Sequence, residues 1–157
     1  MVFSYHHSRH EGWLSIANAL SSAGFNIIEA QPVKAEMSVA TPKSQAKHPI
    51  NLDVIVVCRK RKADLRDRID VDSAIEFAIT EARSKCTRFN EIGMMLSRND
   101  VLVVVMSQLL AKISVSSEDP KYLTMLENSI KKIEGIIDKI WKSQQEVDSV
   151  KADNLSN

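Results

Sequence analysis

Two patterns divide this chain. Short β-prone stretches around a single helical period occupy the first sixty residues, and helical periods occupy the remainder. Residues 2–5, "VFSY", are aromatic and β-prone. Ser8 is placed to cap the helix that follows, and Glu11 three residues on completes a capping-box spacing. Trp13, Ile16, Ala17 and Leu20 then recur at helical spacing until Gly24 stops them. "FNIIEAQPV" reads as a second strand closed by Pro32. The polar stretch "KAEMSVATPKSQAKHPIN" has no periodicity and predicts a loop of about fifteen residues. "LDVIVVCRK", residues 52–60, is β-branched and apolar on both faces, as an interior strand is.

In the second half, Ile75, Ala78, Ile79, Ala82, Cys86 and Phe89 form one helical stripe. Ser97 and Asp100 have capping-box spacing ahead of "VLVVVMSQLLAKI". That β-branched run could be a strand, but its length and its continuation through Leu109, Leu110 and Ile113 favour a buried helix. Pro120 opens the last segment. There Leu123, Leu126, Ile130, Ile133, Ile137 and Ile140 alternate spacings of three and four, a seam nearly three heptads long that stalls at Gln144. The seam serves either the domain's own core or pairing with another chain. The order strand, helix, strand, loop, strand reads as the end of an α/β sheet, because one helix cannot cover both faces of an interior strand.

Composition adds little to this picture, and charge adds more. No apolar run reaches the roughly 18 residues of a membrane span, and no signal-peptide pattern opens the chain. Cys58 and Cys86 stand apart, which fits neither a disulfide framework nor a zinc site and makes a reducing cytoplasm the expected location. Residues 1–68 hold ten Lys/Arg against six Asp/Glu, concentrated in "CRKRKADLRDR". Such a cluster is either a solvated strand end or a contact for phosphate backbones. Tyr5, His6 and His7 lie where a strand hands over to a helix, the edge at which α/β sheets bind ligands. If the strand continues, His6 and His7 face opposite sides, so only one faces a cleft. A turn separates His10 from His6, and no metal site is expected. Glu36, in the long loop, is either solvated or closes over the end of the first strand.

Residues 1–62 resemble the last part of the catalytic domain of a family of large bacterial and archaeal adenine-specific DNA methyltransferases. The motifs HH, W, AGF, PV, EM and VCRK stand in the family's order. The resemblance makes "VFSYHHS" the fifth strand of the methyltransferase sheet, "WLSIANALSSAGF" the helix after it, and "NIIEAQPVKAEM" and "LDVIVVCRKR" the closing pair of strands. Residues 86–114 resemble the family's C-terminal helical extension more weakly. The implied fold is α/β: a partial Rossmann-like sheet of about three strands in residues 1–62, a helical extension over 63–150 and a disordered tail over 151–157. The family transfers a methyl group from S-adenosylmethionine to an adenine amino nitrogen. Its motif of Asp or Asn, two prolines and an aromatic does not occur here, and no Gly-rich cofactor loop does either, since no two of the four prolines are adjacent and the four glycines are scattered.

The expectation is therefore a C-terminal piece, from a truncated frame or a split enzyme, that holds no cofactor by itself. Tyr5, His6, His7 and Glu36 would line the adenine cleft. Arg59, Lys60, Arg61 and Lys62 would contact DNA phosphates, and an upstream methyltransferase half would be the partner. The other reading is a non-enzymatic interaction protein that forms an oligomer through its C-terminal helix.

Overall fold

The computed structural model describes residues 1–35, 49–61, 70–116 and 121–155. The chain is mixed α/β, and the described residues form a three-stranded antiparallel sheet and four helices. The elements are β1 (Val2–Tyr5), α1 (His10–Ser22), β2 (Phe25–Lys34), β3 (Leu52–Lys60), α2 (Val71–Glu91), α3 (Arg98–Ser116) and α4 (Lys121–Leu155). The strand order is β1-β3-β2, with β3 antiparallel to both neighbours. The apolar run at 52–58 is thus the interior strand, with Phe3–Tyr5 beside it.

Register sorts the side chains into two faces, because directly opposed residues share a side. Phe3, Val56 and Ala30 form one row and Tyr5, Val54 and Pro32 the next. These rows, with Leu52 and Cys58, face the core. Rows Val2–Val57–Glu29 and Ser4–Ile55–Gln31 face the other way. There Val2 is 63% exposed while Ile55 and Val57 are half-buried. The interior strand is therefore fully buried on one face only. β2 does not stop at Pro32. It runs on to Lys34, since an edge position does not require the missing N–H.

α3 is buried all round from Asp100 to Leu110, as its unbroken apolar run requires. It packs on β2 and β3 on one side and on α1, α2 and α4 on the others. Its polar residues serve the sheet: Ile27 N–H donates to Ser114 Oγ (2.7 Å) and Gln108 Nε2 donates to Ala30 O (2.7 Å). These bonds bracket the irregularity in β2 between Ile27 and Glu29, where ladder pairing is interrupted. The capping box at the start of α3 is reciprocal: Ser97 N–H donates to Asp100 Oδ2 (2.9 Å) and Asp100 N–H to Ser97 Oγ (3.0 Å). α2 starts on Asp70, whose carboxylate accepts from Ser73 N–H (2.9 Å). It ends in a Schellman motif on Gly93 (φ 78°), with Gly93 N–H on Asn90 O (3.0 Å) and Met94 N–H on Phe89 O (2.9 Å).

The α4 seam is internal. Leu126, Ile130, Ile133, Ile137 and Ile140 are buried, with α2, α3 and α1 as α4's neighbours. Gln144, where the apolar alternation stalls, is itself buried and accepts from Asn90 Nδ2. The helix backbone continues through Leu155, where the sequence predicts a loose tail from residue 151. The expected boundary at 62/63 falls outside the described residues. Both sides of it contribute to one hydrophobic core.

Candidate functional site at the strand ends

β1 ends at Tyr5, and the alternation along it distributes the next residues. Tyr5 turns to the core face. Its ring meets Trp13 edge-on (5.2 Å between centroids, 85°), and its hydroxyl donates to Gly12 O (2.7 Å). Burial pushes its phenol pKa up. Tyr5 accordingly supports the turn through its ring and its hydroxyl. His6, the next position, falls on the open face opposite Asp53, and His6 Nδ1 bonds Asp53 Oδ1. The His6 and Asp53 side chains are 46% and 28% exposed.

His7 is held differently. Arg9 N–H donates to His7 Nδ1 (3.0 Å), and Trp13 Nε1 donates to His7 O (3.0 Å). Its ring lies over Gly12, where a Cβ would come within 2.2 Å of the imidazole. The segment "YHHSRHEGW" is therefore one locked turn in which a glycine makes room for a histidine ring. The helix cap is Arg9, with no side-chain cap bond, instead of Ser8. His10 is turned away from the pair: its Nε2 bonds Glu134 Oε1 (2.8 Å), and Arg98 pairs with the same Glu134 (3.9 Å) and with Asp138 (2.6 Å), linking α1, α3 and α4. Among the described residues no group of three metal-ligating side chains occurs.

Glu36 and Lys62 lie outside the described residues. Of the remaining cations, Arg59 and Lys60 are exposed at the far end of β3. Arg61 is engaged: its Nε donates to Asn26 Oδ1 (3.2 Å) and its Nη2 to Ser21 Oγ (3.1 Å), tying the end of α1 to β2. Seven residues of β3 separate Asp53 from Lys60, roughly 23 Å at the usual rise. His6 with Asp53, and Arg59 with Lys60, thus lie at opposite ends of β3, too far apart for one small ligand to touch both.

Sequence reasoning missed Asp53. The signal was available, as it is the one charged residue within "LDVIVVC", and a charge in such a run needs a partner. Chemically, a carboxylate that holds one imidazole nitrogen fixes the ring and leaves Nε2 to accept or donate a proton or a hydrogen bond. The pair stands at the end of β1 on the sheet's open face. No known protein family, no curated protein and no solved structure matches the chain.

Proposed function

We propose that this chain is the C-terminal part of an S-adenosylmethionine-dependent adenine-specific DNA methyltransferase and that it is inactive alone. The resemblance of residues 1–62 suggests the family. The observation that carries the reading is the sheet. Among the described residues it consists of a short strand, a helix and an antiparallel pair of strands, an order compatible with the resemblance, and its second face is half apolar and open at Val2, Ile55 and Val57. A Rossmann-like enzyme covers both faces of its sheet. In the assembled enzyme the held imidazole of His6, with His7 behind it, borders the pocket for the flipped adenine. Arg59 and Lys60, at the other end of the sheet, are left as candidates for phosphate contact. S-adenosylmethionine and the methyl-transfer motif belong to the upstream half. The reading as a helix-mediated oligomer is the less favoured one, because the apolar seam of α4 that would carry it is buried within the chain's own core.

The test is co-expression with an upstream half carrying the cofactor loop and the methyl-transfer motif, read as transfer of labelled methyl from S-adenosylmethionine to DNA. Activity is expected from the pair and from neither part alone. A pair that neither associates nor methylates DNA counts against the proposal. So does calorimetric binding of S-adenosylmethionine to the isolated chain at micromolar strength, about −8 kcal/mol.

A further inference from the structure

The outer edge of β2 has two parts. Along its first half α3 closes it, through the bonds of Ser114 and Gln108. Past Ala30, an open groove of about 360 Å³ lies between the end of β2 and the last turns of α2. Its floor is apolar: Pro32, Val33, Phe89 and Ile92. Ile92 is 77% exposed even though the Schellman turn that carries it is fully hydrogen-bonded. Three cations, Lys34, Lys85 and Arg88, line the same groove, and among the described residues no carboxylate does. Lys85 Nζ donates to Gln31 Oε1 (3.1 Å), which bridges the two walls. Among the described residues Lys34 and Arg88 stand in no ion pair.

We propose that this groove binds an acidic peptide segment of a partner protein, with an apolar side chain on the Phe89–Ile92 floor and flanking carboxylates on Lys34, Lys85 and Arg88. The inference is independent of the methyltransferase reading. Charge complementarity selects an anion, since three positive charges line the groove and, among the described residues, no negative one does. The apolar floor selects a ligand with an apolar anchor and disfavours nucleic acid, whose interfaces are polar and driven by phosphate contacts. An anchor buried in such a pocket within a charged rim is the usual anatomy of a small recognition site. Recognition runs through side chains and not by adding a strand. Pro32 has no N–H to offer, and the carbonyls of Ala30 and Pro32 already accept from Gln108 and Gln31.

The full chain, immobilised, is used to select from a random heptapeptide phage library. Fluorescence anisotropy then measures the enriched peptides on wild type, on the double variant Lys34→Glu with Arg88→Glu, and on Ile92→Asp. Circular dichroism verifies that each variant is folded. The expected result is enrichment of sequences in which Asp or Glu flanks a Leu, Ile or Phe, with binding weakened at least tenfold by each variant and by raised salt. Enrichment of no sequence, enrichment of sequences without acidic residues, or peptide binding that folded variants leave unchanged would overturn the proposal. So would an oligonucleotide that binds with the same sensitivity to charge reversal where the peptides do not.

Discussion

Replacing Asp100 by asparagine should cost this protein about 3–4 kcal/mol of stability, although the change is nearly isosteric. Asp100 is fully buried. Its Oδ1 accepts from Asn51 N–H (2.6 Å) and Leu52 N–H (3.1 Å), and its Oδ2 from Asn51 Nδ2 (2.9 Å) and Ser97 N–H (2.9 Å). One carboxylate therefore caps α3 and pins the chain entering the interior strand. Asparagine preserves the first oxygen and sets an amide nitrogen where the second was, so two donors meet a donor. Hydrogen bonds to a charged group contribute about 1.5–3 kcal/mol each, and a buried unpaired donor carries its full desolvation cost. Two such losses sum to about 3–6 kcal/mol. The lower part of that range applies because the half-buried Asn51 side chain can turn to water. At about 2–4 °C per kcal/mol for a chain of this size, the melting temperature should fall by about 6–16 °C. Urea unfolding followed by far-ultraviolet circular dichroism measures the difference. The control is Asp72→Asn: that carboxylate is 81% exposed in its pair with Lys132, so the loss should stay under about 0.5 kcal/mol. A loss under about 1 kcal/mol for Asp100→Asn would refute the claim that this carboxylate holds the strand to the helix.

Two further outcomes follow from the buried positions. Ile133→Asp with Ile137→Asp puts two carboxylates into fully buried sites and should abolish cooperative unfolding of the monomer. A folded monomer released from a dimer, seen by light scattering, would contradict the internal seam. Burial raises the thiols of Cys86, to about 12, and of Cys58, the nearby charge of Asp100 adding to the shift of Cys86. Both should resist Ellman's reagent at pH 8 until urea is added. Because these folded values lie above the ordinary thiol value, the associated stability is intact below pH 9 and, for Cys86, drains away as pH climbs towards 12. Prompt labelling of the native protein would contradict that burial.

The elements were legible where one residue type decides a local question. The β-branched run at 52–58 announced an interior strand, Ser97 and Asp100 announced a cap, and the spacing of Leu126 to Ile140 announced a buried seam. What stayed illegible depends on which distant groups meet. Arg61 read as a free cation, yet its guanidinium is spent on Asn26 and Ser21, some 35 to 40 positions away. Asp53 drew no reading, since its partner His6 lies 47 residues earlier. Ser8 was the better capping residue by type, but the cap falls one residue later, on Arg9, with no side-chain cap bond. The groove of Lys34, Lys85 and Arg88 was out of reach for the same reason: β2 and α2 become neighbours only in three dimensions.

The burial of α3 from Asp100 to Leu110 has a consequence for synthesis. The sheet's core face is covered by a helix made long after the strands. Between Lys60, the end of β3, and Ser116, the end of α3, a ribosome working at about 5–20 residues per second needs roughly 3–11 s. For that interval the nascent sheet carries the apolar rows of Phe3, Val54 and Val56 without a lid, and the backbone groups that Ser114 and Gln108 will satisfy stay bonded to water. The strands and the helical half are therefore one cooperative folding unit despite their different sequence character. The window before α3 emerges is when this chain most needs a chaperone or a partner.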